Sequence, residues 1–425
     1  MQNLLNKNNI KIAGGTFGLE RETLRVTAEG KMSSTLHPFS ESVQIVKDFC
    51  ENQSEINTGV HNSAKNAISE LFSLGQRLET KLKGSGEYLW LYSNPPKLEG
   101  DDDIPVAKYS GDLHEKHSYR LYLAEKYGKR KMTLSGIHVN YSLSEKLLQS
   151  DFTCSMFSDY SEYKNAEYLR VAQGLTEYGW IINLLLSASP ICDGSYFSDE
   201  RRGETIITKY ASLRCGEEGY WNQFIPKLRY GSVTDYAQSI QDYIDNGALA
   251  GVGELYYPIR LKPKGANRLN NLVRLGVNHI ELRNVDINPF SSAGLDERDL
   301  RFVELLILWV YAEYRGCLSE NDQTKAVQNF KNAALLDIDN NTIVSDKNEV
   351  DSVRVSGLRV LEKMHSFFSK CLLEDAEEII AFQRSKLTNK ETRYAEMIIK
   401  AFAGEYMSKM LDIIKNHHPY VNNTY

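Results

Sequence analysis

Gly18-Leu19-Glu20-Arg21-Glu22-Thr23-Leu24-Arg25-Val26 alternates as a β-strand does and carries two carboxylates two positions apart. Successive side chains of an extended chain point to opposite faces, so Glu20 and Glu22 share one face while Leu19, Arg21 and Thr23 share the other. Two like charges side by side repel, and burying either alone is costly, so a counter-cation resolves the conflict. Oxygen ligands point to a hard ion, Mg²⁺ (or Mn²⁺), of the kind brought in with nucleotide phosphates. A solvated strand face is the plain alternative for a lone Glu-x-Glu, and the rest of the chain decides between them.

Two further segments show the same design. In Gly136-Ile137-His138-Val139-Asn140-Tyr141, His138 and Asn140 face away from the apolar Ile137, Val139 and Tyr141. In His279-Ile280-Glu281-Leu282-Arg283-Asn284, the residues His279, Glu281 and Arg283 oppose Ile280 and Leu282. A carboxylate with a guanidinium is a simple ion pair, and it is also what phosphoryl transfer requires: a metal ligand and a neutraliser of the transferred charge. Read as a strand, Glu254-Leu255-Tyr256-Tyr257-Pro258-Ile259-Arg260 adds Glu254, Tyr256 and Arg260 to one face. Asp48-Phe49-Cys50-Glu51-Asn52-Gln53-Ser54-Glu55 is ambiguous. As one extended run it puts Asp48 and Glu55 on opposite faces; as a helix it stacks Glu51 on Glu55.

The chain has 425 residues, 42% hydrophobic and 25% charged, enough for a large folded core. A formal charge of −6 argues against nucleic acid as a main partner. The opening residues lack the apolar core of a signal peptide, and the longest apolar runs, 180–188 and 302–311, are too short to span a bilayer, so a cytoplasmic protein without a membrane partner is expected. Six cysteines without Cys-x-x-Cys spacing fit reduced thiols rather than disulfides or zinc. No P-loop, dinucleotide fingerprint or nucleophile elbow occurs, and Gly14-Gly15-x-x-Gly18 precedes a strand, as turn chemistry does.

Residues 63–83 place Ala64, Ile68, Leu71, Leu78 and Leu82 on one helical stripe, and Asp296 with Asp299 marks the start of another helix through Leu300, Val303, Ile307 and Val310. Strand-like alternation recurs at 136–143, 253–262 and 277–285, and the residues after 350 read as helices ending in a polar tail. Irregularly spaced strands with helices massed late give an α+β fold with a mostly antiparallel sheet. With no linker or repeat, the chain reads as a single catalytic domain, a sheet-bearing core to residue 295 followed by a helical part from 296 to 425.

Gly18 to Val26, Ser135 to Leu143 and Ile280-Glu281-Leu282-Arg283-Asn284-Val285-Asp286-Ile287-Asn288-Pro289-Phe290, in that order, resemble the motifs of the bacterial glutamate–cysteine ligase (γ-glutamylcysteine synthetase) family. Asp48-Phe49 with Glu51 and Glu55, Tyr119-Arg120, Arg214 with Tyr220, and Glu254-Leu255-Tyr256 fall where that family's intermediate motifs are expected. The resemblance implies a glutamine-synthetase-like fold, with Mg²⁺ and ATP on the concave face of an antiparallel sheet and helices outside. It implies ATP-dependent joining of L-glutamate to L-cysteine, the first step of glutathione synthesis. Glu20, Glu22, Asp48, Glu55, His138 and Glu281 would surround the metals. Arg283, Glu281 and Arg260 would serve the phosphoryl transfer, and Arg283 with Glu254 the nucleotide. Phe49, Tyr119, Arg120, Arg214, Tyr220 and Tyr256 would shape the amino-acid pockets. A same-superfamily ligase acting on another amine shares these motifs, and a non-catalytic relative has little reason to keep clustered acids. Asn52-Gln53-Ser54 departs from the aliphatic character expected of the family there. No ATP-grasp region follows, so a second glutathione step is expected of another protein.

Overall fold

The computed structural model describes residues 9–39, 42–109, 114–371, 373 and 375–416, so the first eight residues and the polar tail lie outside the described residues. Its strands are β1 (Thr16–Thr27), β2 (Ile45–Lys47), β3 (Gln53–Asn57), β4 (Glu87–Trp90), β5 (Gly136–Ser142), β6 (Ile191–Asp193), β7 (Thr205–Ile207), β8 (Ile259–Lys262), β9 (His279–Asp286), β10 (Thr342–Val344) and β11 (Val350–Ser352). Its longer helices are α1 (Ala64–Lys83), α2 (His114–Tyr127), α3 (Glu145–Phe152), α4 (Tyr160–Tyr178), α5 (Trp180–Leu186), α6 (Val233–Asp245), α7 (Leu269–Leu275), α8 (Glu297–Glu313), α9 (Glu320–Ala333), α10 (Val353–Cys371), α11 (Ala376–Thr388), α12 (Tyr394–Phe402) and α13 (Tyr406–Asn416).

One seven-stranded sheet organises the molecule, in the order β2-β3-β1-β5-β9-β8 with β4 on the far end of β1. Its strand pairs are antiparallel. The α+β expectation with a mostly antiparallel sheet matches this architecture. Phe17, Leu19, Ile137, Val139, Ile280 and Leu282 form the apolar face and pack with Leu71 and Leu78 of α1 and with Leu169 and Val171 of α4. Ser63 caps α1 by accepting from the Asn66 amide, and α1 buries Ala64, Ala67, Leu71, Leu74, Leu78 and Leu82. Behind this layer α8 is apolar nearly all round because α4, α10 and α11 surround it. Asp296 caps it, as the sequence suggests; Asp299 does not, its carboxylate being buried against Lys386 and Tyr394.

Two expectations about strands change. Residues 253–258 are not strand, since Val252–Glu254 is a 3-10 turn and only Ile259–Lys262 pairs with β9. Pro258 has no N–H to give a ladder, and Asn222 takes up the backbone instead: its Nδ2 donates to the Glu254 carbonyl at 2.8 Å, and its Oδ1 accepts from the Tyr256 amide at 2.9 Å. In β9 the alternation slips: Val139 pairs with Leu282 but Ile137 with Val285. The extra residue returns Val285 to the core, where it is fully buried, and sets Arg283 and Asn284 against His138. The helical C-terminal part also carries the β10–β11 ribbon.

Candidate active site

The strand pairing brings the acids of distant segments onto one face. Glu22 is the direct partner of Glu55 on β3, Glu20 that of His138 on β5, Asn140 that of Glu281 on β9, and Glu281 that of Arg260 on β8. Asp48 joins them because residues 45–57 form a hairpin. Val46 pairs with Glu55, so Asp48, two residues on, lies on the Glu55 side. The unexpectedly polar Asn52, Gln53 and Ser54 are buried there. Asn52 donates to the Ser33 and Asp103 carbonyls, Gln53 donates to Ser135, and Ser54 hydrogen-bonds His37.

His138 sits at the centre. Its Nδ1 is 3.0 Å from Glu20 Oε2, and its Nε2 accepts from Arg214 Nη2 at 3.2 Å. That pattern puts the ring proton on Nδ1. Burial, with Arg283 adjacent, holds the imidazole down at about 4, so it is neutral near pH 7, the form that ligates metals. Asn140 donates to the other Glu20 oxygen at 2.9 Å, and the Gly136 amide donates to Glu22 at 2.9 Å. Arg214 also lies 3.7 Å from Glu22, and its guanidinium crosses the Tyr220 ring at 5.5 Å. A Cβ at Gly136 would stand 2.4 Å from the Arg214 guanidinium carbon, so only glycine lets the arginine pass.

The site is polarised. At one end, burial raises the Glu22 carboxyl to about 7 despite Arg214. Burial, then Asp48, Glu20 and Glu22, push Glu55 well above the usual range, and burial lifts Asp48 against Arg120. At the other end burial opposes ionisation of Glu281, yet three cations overwhelm it and hold the carboxyl well below its ordinary value. These are Arg260 at 3.1 Å, Lys262 at 3.2 Å and Arg283 at 3.4 Å. Glu20, between the ends, is lowered: burial opposes this and the His138 hydrogen bond prevails. One end is thus short of positive charge and the other rich in it.

Among the described residues, Glu20, His138 and Glu281 offer ligand atoms that all lie within 4.8 Å of one another. Glu281 Oε2 is buried without a hydrogen bond of good geometry, and Glu22, Asp48 and Glu55 are each held toward the protonated form. This donor set of carboxylates with one neutral imidazole suits a divalent cation.

Arg214, Tyr220, Tyr256 and Arg283 line one small cavity with Cys215 and Trp221. Tyr256 packs edge-on against Tyr220 at 5.3 Å and Tyr127 at 5.2 Å. Tyr119 stacks on Tyr122, and Arg120 Nε donates to the Asp48 carbonyl at 2.5 Å. Phe49 is buried in the apolar cluster of Leu24, Trp90 and Met132, a wall rather than an exposed contact. Glu254 stands apart. Its carboxylate is fully buried and occupied by Lys126 at 2.5 Å, by the Tyr127 hydroxyl at 2.7 Å and by the Ala250 amide at 2.6 Å, so it serves as a structural counter-ion and not on the strand face read from the sequence. Lys262 and Gly136 belong to the site and were not picked out from the sequence. Lys262 has the strand parity of Arg260, a signal that was available.

The family model for glutamate-cysteine ligase matches residues 1–250 and 245–333. The glutathione biosynthesis bifunctional protein GshAB of Listeria welshimeri is 33% identical over 400 residues, covering 90% of this chain and 51% of that protein. Its namesake in Clostridium perfringens is 30% identical over 427 residues, covering 96% and 54%. The chain therefore spans about half the length of these curated relatives. Two crystal structures share the fold. The glutamate–cysteine ligase of Francisella tularensis, in complex with AMP, superimposes with a TM-score of 0.85 at 24% identity, covering 95% of this chain and 88% of that one. A bifunctional glutathione synthetase from Pasteurella multocida gives 0.80 at 25% identity, covering 95% and 52%. A family match over most of its length, joined to an acid-and-arginine face on an antiparallel sheet, means that this chain belongs to the glutamate–cysteine ligase family.

Proposed function

We propose that the chain joins the γ-carboxylate of L-glutamate to the amine of L-cysteine, consuming ATP and passing through a γ-glutamyl phosphate, as the first step of glutathione synthesis. The observation that carries this reading is the polarised face: carboxylates Glu22, Asp48 and Glu55 at one end, Glu20 between, and Arg260, Lys262 and Arg283 around Glu281 at the other. Glu20, Glu22, Asp48, Glu55, His138 and Glu281 would hold Mg²⁺ (or Mn²⁺), which supplies charge neutralisation for the nucleotide phosphates.

A carboxylate is a poor electrophile, so its oxygen first attacks the γ-phosphorus of ATP, and ADP leaves. Arg283 and Arg260, fixed in the sheet, neutralise the charge that develops on the transferred group. The cysteine amine then attacks the acyl carbon, and phosphate departs from the tetrahedral adduct. Water must be kept out or the acyl phosphate hydrolyses, and the buried Tyr256 and the Tyr220 ring beside it serve that exclusion. Arg214, packed on Tyr220 and anchored to Glu22 and His138, is placed to orient a substrate carboxylate, with Tyr119, Arg120 and Phe49 forming the surrounding wall.

The six cysteines are free thiols, which fits the reducing, cytoplasmic setting read from the sequence; no helix among the described residues is long and apolar enough to cross a membrane. We read residues 1–425 as a single catalytic unit. Purified protein with ATP, Mg²⁺ and L-glutamate should release ADP and phosphate only when an acceptor is added, and product mass should identify γ-glutamylcysteine. Turnover with a different amine would assign another ligase of this superfamily, and no turnover with any amino acid would refute the catalytic reading.

A further inference from the structure

Lys262 holds a position that the proposed chemistry leaves unexplained. It ends β8, two residues after Arg260, and its Nζ lies 3.2 Å from Glu281 Oε1 while Arg260 Nε lies 3.1 Å from Oε2. With Arg283 at 3.4 Å, three cations surround one carboxylate that is 2% exposed. One of the three arginine and lysine groups would suffice to neutralise it. The Lys262 ammonium is also a compact charge on a flexible stem, whereas each guanidinium is planar and fixed by its neighbours. Burial lowers the lysine, Glu281 opposes that, and Arg260 and Arg283 add repulsion, while the Lys262 side chain keeps more exposure than that of Arg260, 16% against 5%.

Arg260, Lys262 and Arg283 converge on Glu281, while Glu22, Asp48 and Glu55 at the other end are held toward the protonated form. A divalent cation alone therefore meets a carboxylate that is already neutralised. It would have to take Glu281 from Lys262. A polyphosphate changes this, because it offers the ammonium a better anion and frees the carboxylate.

We propose that Lys262 is a positioning residue that occupies Glu281 until nucleotide arrives, so that phosphate binding hands this carboxylate to the cation and makes the two ligands bind together. The inference rests on the ligase reading and adds to it a named element that couples nucleotide to metal.

The test uses the full chain without glutamate or cysteine. Mn²⁺ is the probe, its free concentration followed by electron paramagnetic resonance, with and without a non-hydrolysable ATP analogue. In the wild-type protein the analogue should tighten Mn²⁺ binding about tenfold or more. Lys262→Met should tighten binding of Mn²⁺ alone about fivefold or more and shrink the effect of the analogue, and Lys262→Arg should keep Mn²⁺ alone weak. Melting curves without metal show that each variant is folded. Unchanged or weaker Mn²⁺ binding in Lys262→Met, with the analogue binding normally by calorimetry, overturns the role of Lys262 and leaves the ligase reading standing. Failure of the analogue to bind the wild-type protein removes both.

Discussion

Arg260 and Glu281 stand directly opposite each other across β8 and β9, with the guanidinium Nε 3.1 Å from the carboxylate. Replacing Glu281 with Gln removes the carboxylate on which three cations converge, and Arg283→Ala removes a cation that reaches both Glu281 and His138. Each change should lower the turnover of γ-glutamyl transfer by about 100-fold or more while circular dichroism shows an intact fold. Turnover close to wild type in either variant would count against the assigned roles.

Gly136 gives a different prediction, since its missing side chain is what Arg214 needs. Gly136→Ala puts a methyl group 2.4 Å from the guanidinium carbon and forces Arg214 off His138 and Glu22. Steady-state kinetics should show kcat/KM reduced about tenfold or more, at a stability cost of about 1–3 kcal/mol. A crystal structure of the variant with Arg214 unmoved would contradict this account.

Far from the site, Lys386 of α11 and Asp299 of α8 form a buried pair at 2.6 Å, to which the Tyr394 hydroxyl and Gln383 add hydrogen bonds. Lys386→Met strands the carboxylate and should cost about 3–5 kcal/mol in urea unfolding. The double change Lys386→Met with Asp299→Leu should recover much of that loss, because no buried charge is then left alone.

The pH dependence of stability separates Glu22 from His138. Glu22 is raised from 4.5 to about 7 by burial, so between these values the folded protein holds a proton that the unfolded chain has released. Its contribution is therefore present at acid pH and is lost as pH rises toward 7. His138, depressed from 6.5 to about 4, acts in the opposite sense, its contribution growing from pH 4 to 6.5. Without divalent cation, the stability of wild type relative to Glu22→Gln should decline between pH 4.5 and 7, and Mg²⁺ should flatten that decline. A flat difference without metal would show that Glu22 titrates normally.

Much of the site was legible because β1 and β5 alternate regularly, and a period of two carries Glu20, Glu22 and His138 to one face without further information. Asp48 and Glu55 could not be resolved that way. Parity counted along the chain fails across a tight turn, and only the pairing of Val46 with Glu55 places both acids together. The slip in β9 was equally hidden, since nothing in Leu282 to Val285 marks an inserted residue; the demand to bury both of them does. Glu254 was misplaced because its neighbours Leu255 and Tyr257 alternate like a strand, while the partners that claim its carboxylate, Lys126 and Tyr127, lie on a remote helix.

The central place of β1 has a consequence for how the protein is made. Its neighbours on the acid face come from residues 53–57 on one side and 136–142 on the other, and β9 closes the cluster only at residues 279–286. Until residues 259–286 have been synthesised, Glu20 and Glu22 lack the cations of β8 and β9, and Arg214 comes to Glu22 from the segment between β7 and α6. A nascent chain at that stage holds an unfinished sheet edge at β5, and the three cations around Glu281 assemble only when β8 and β9 have been added.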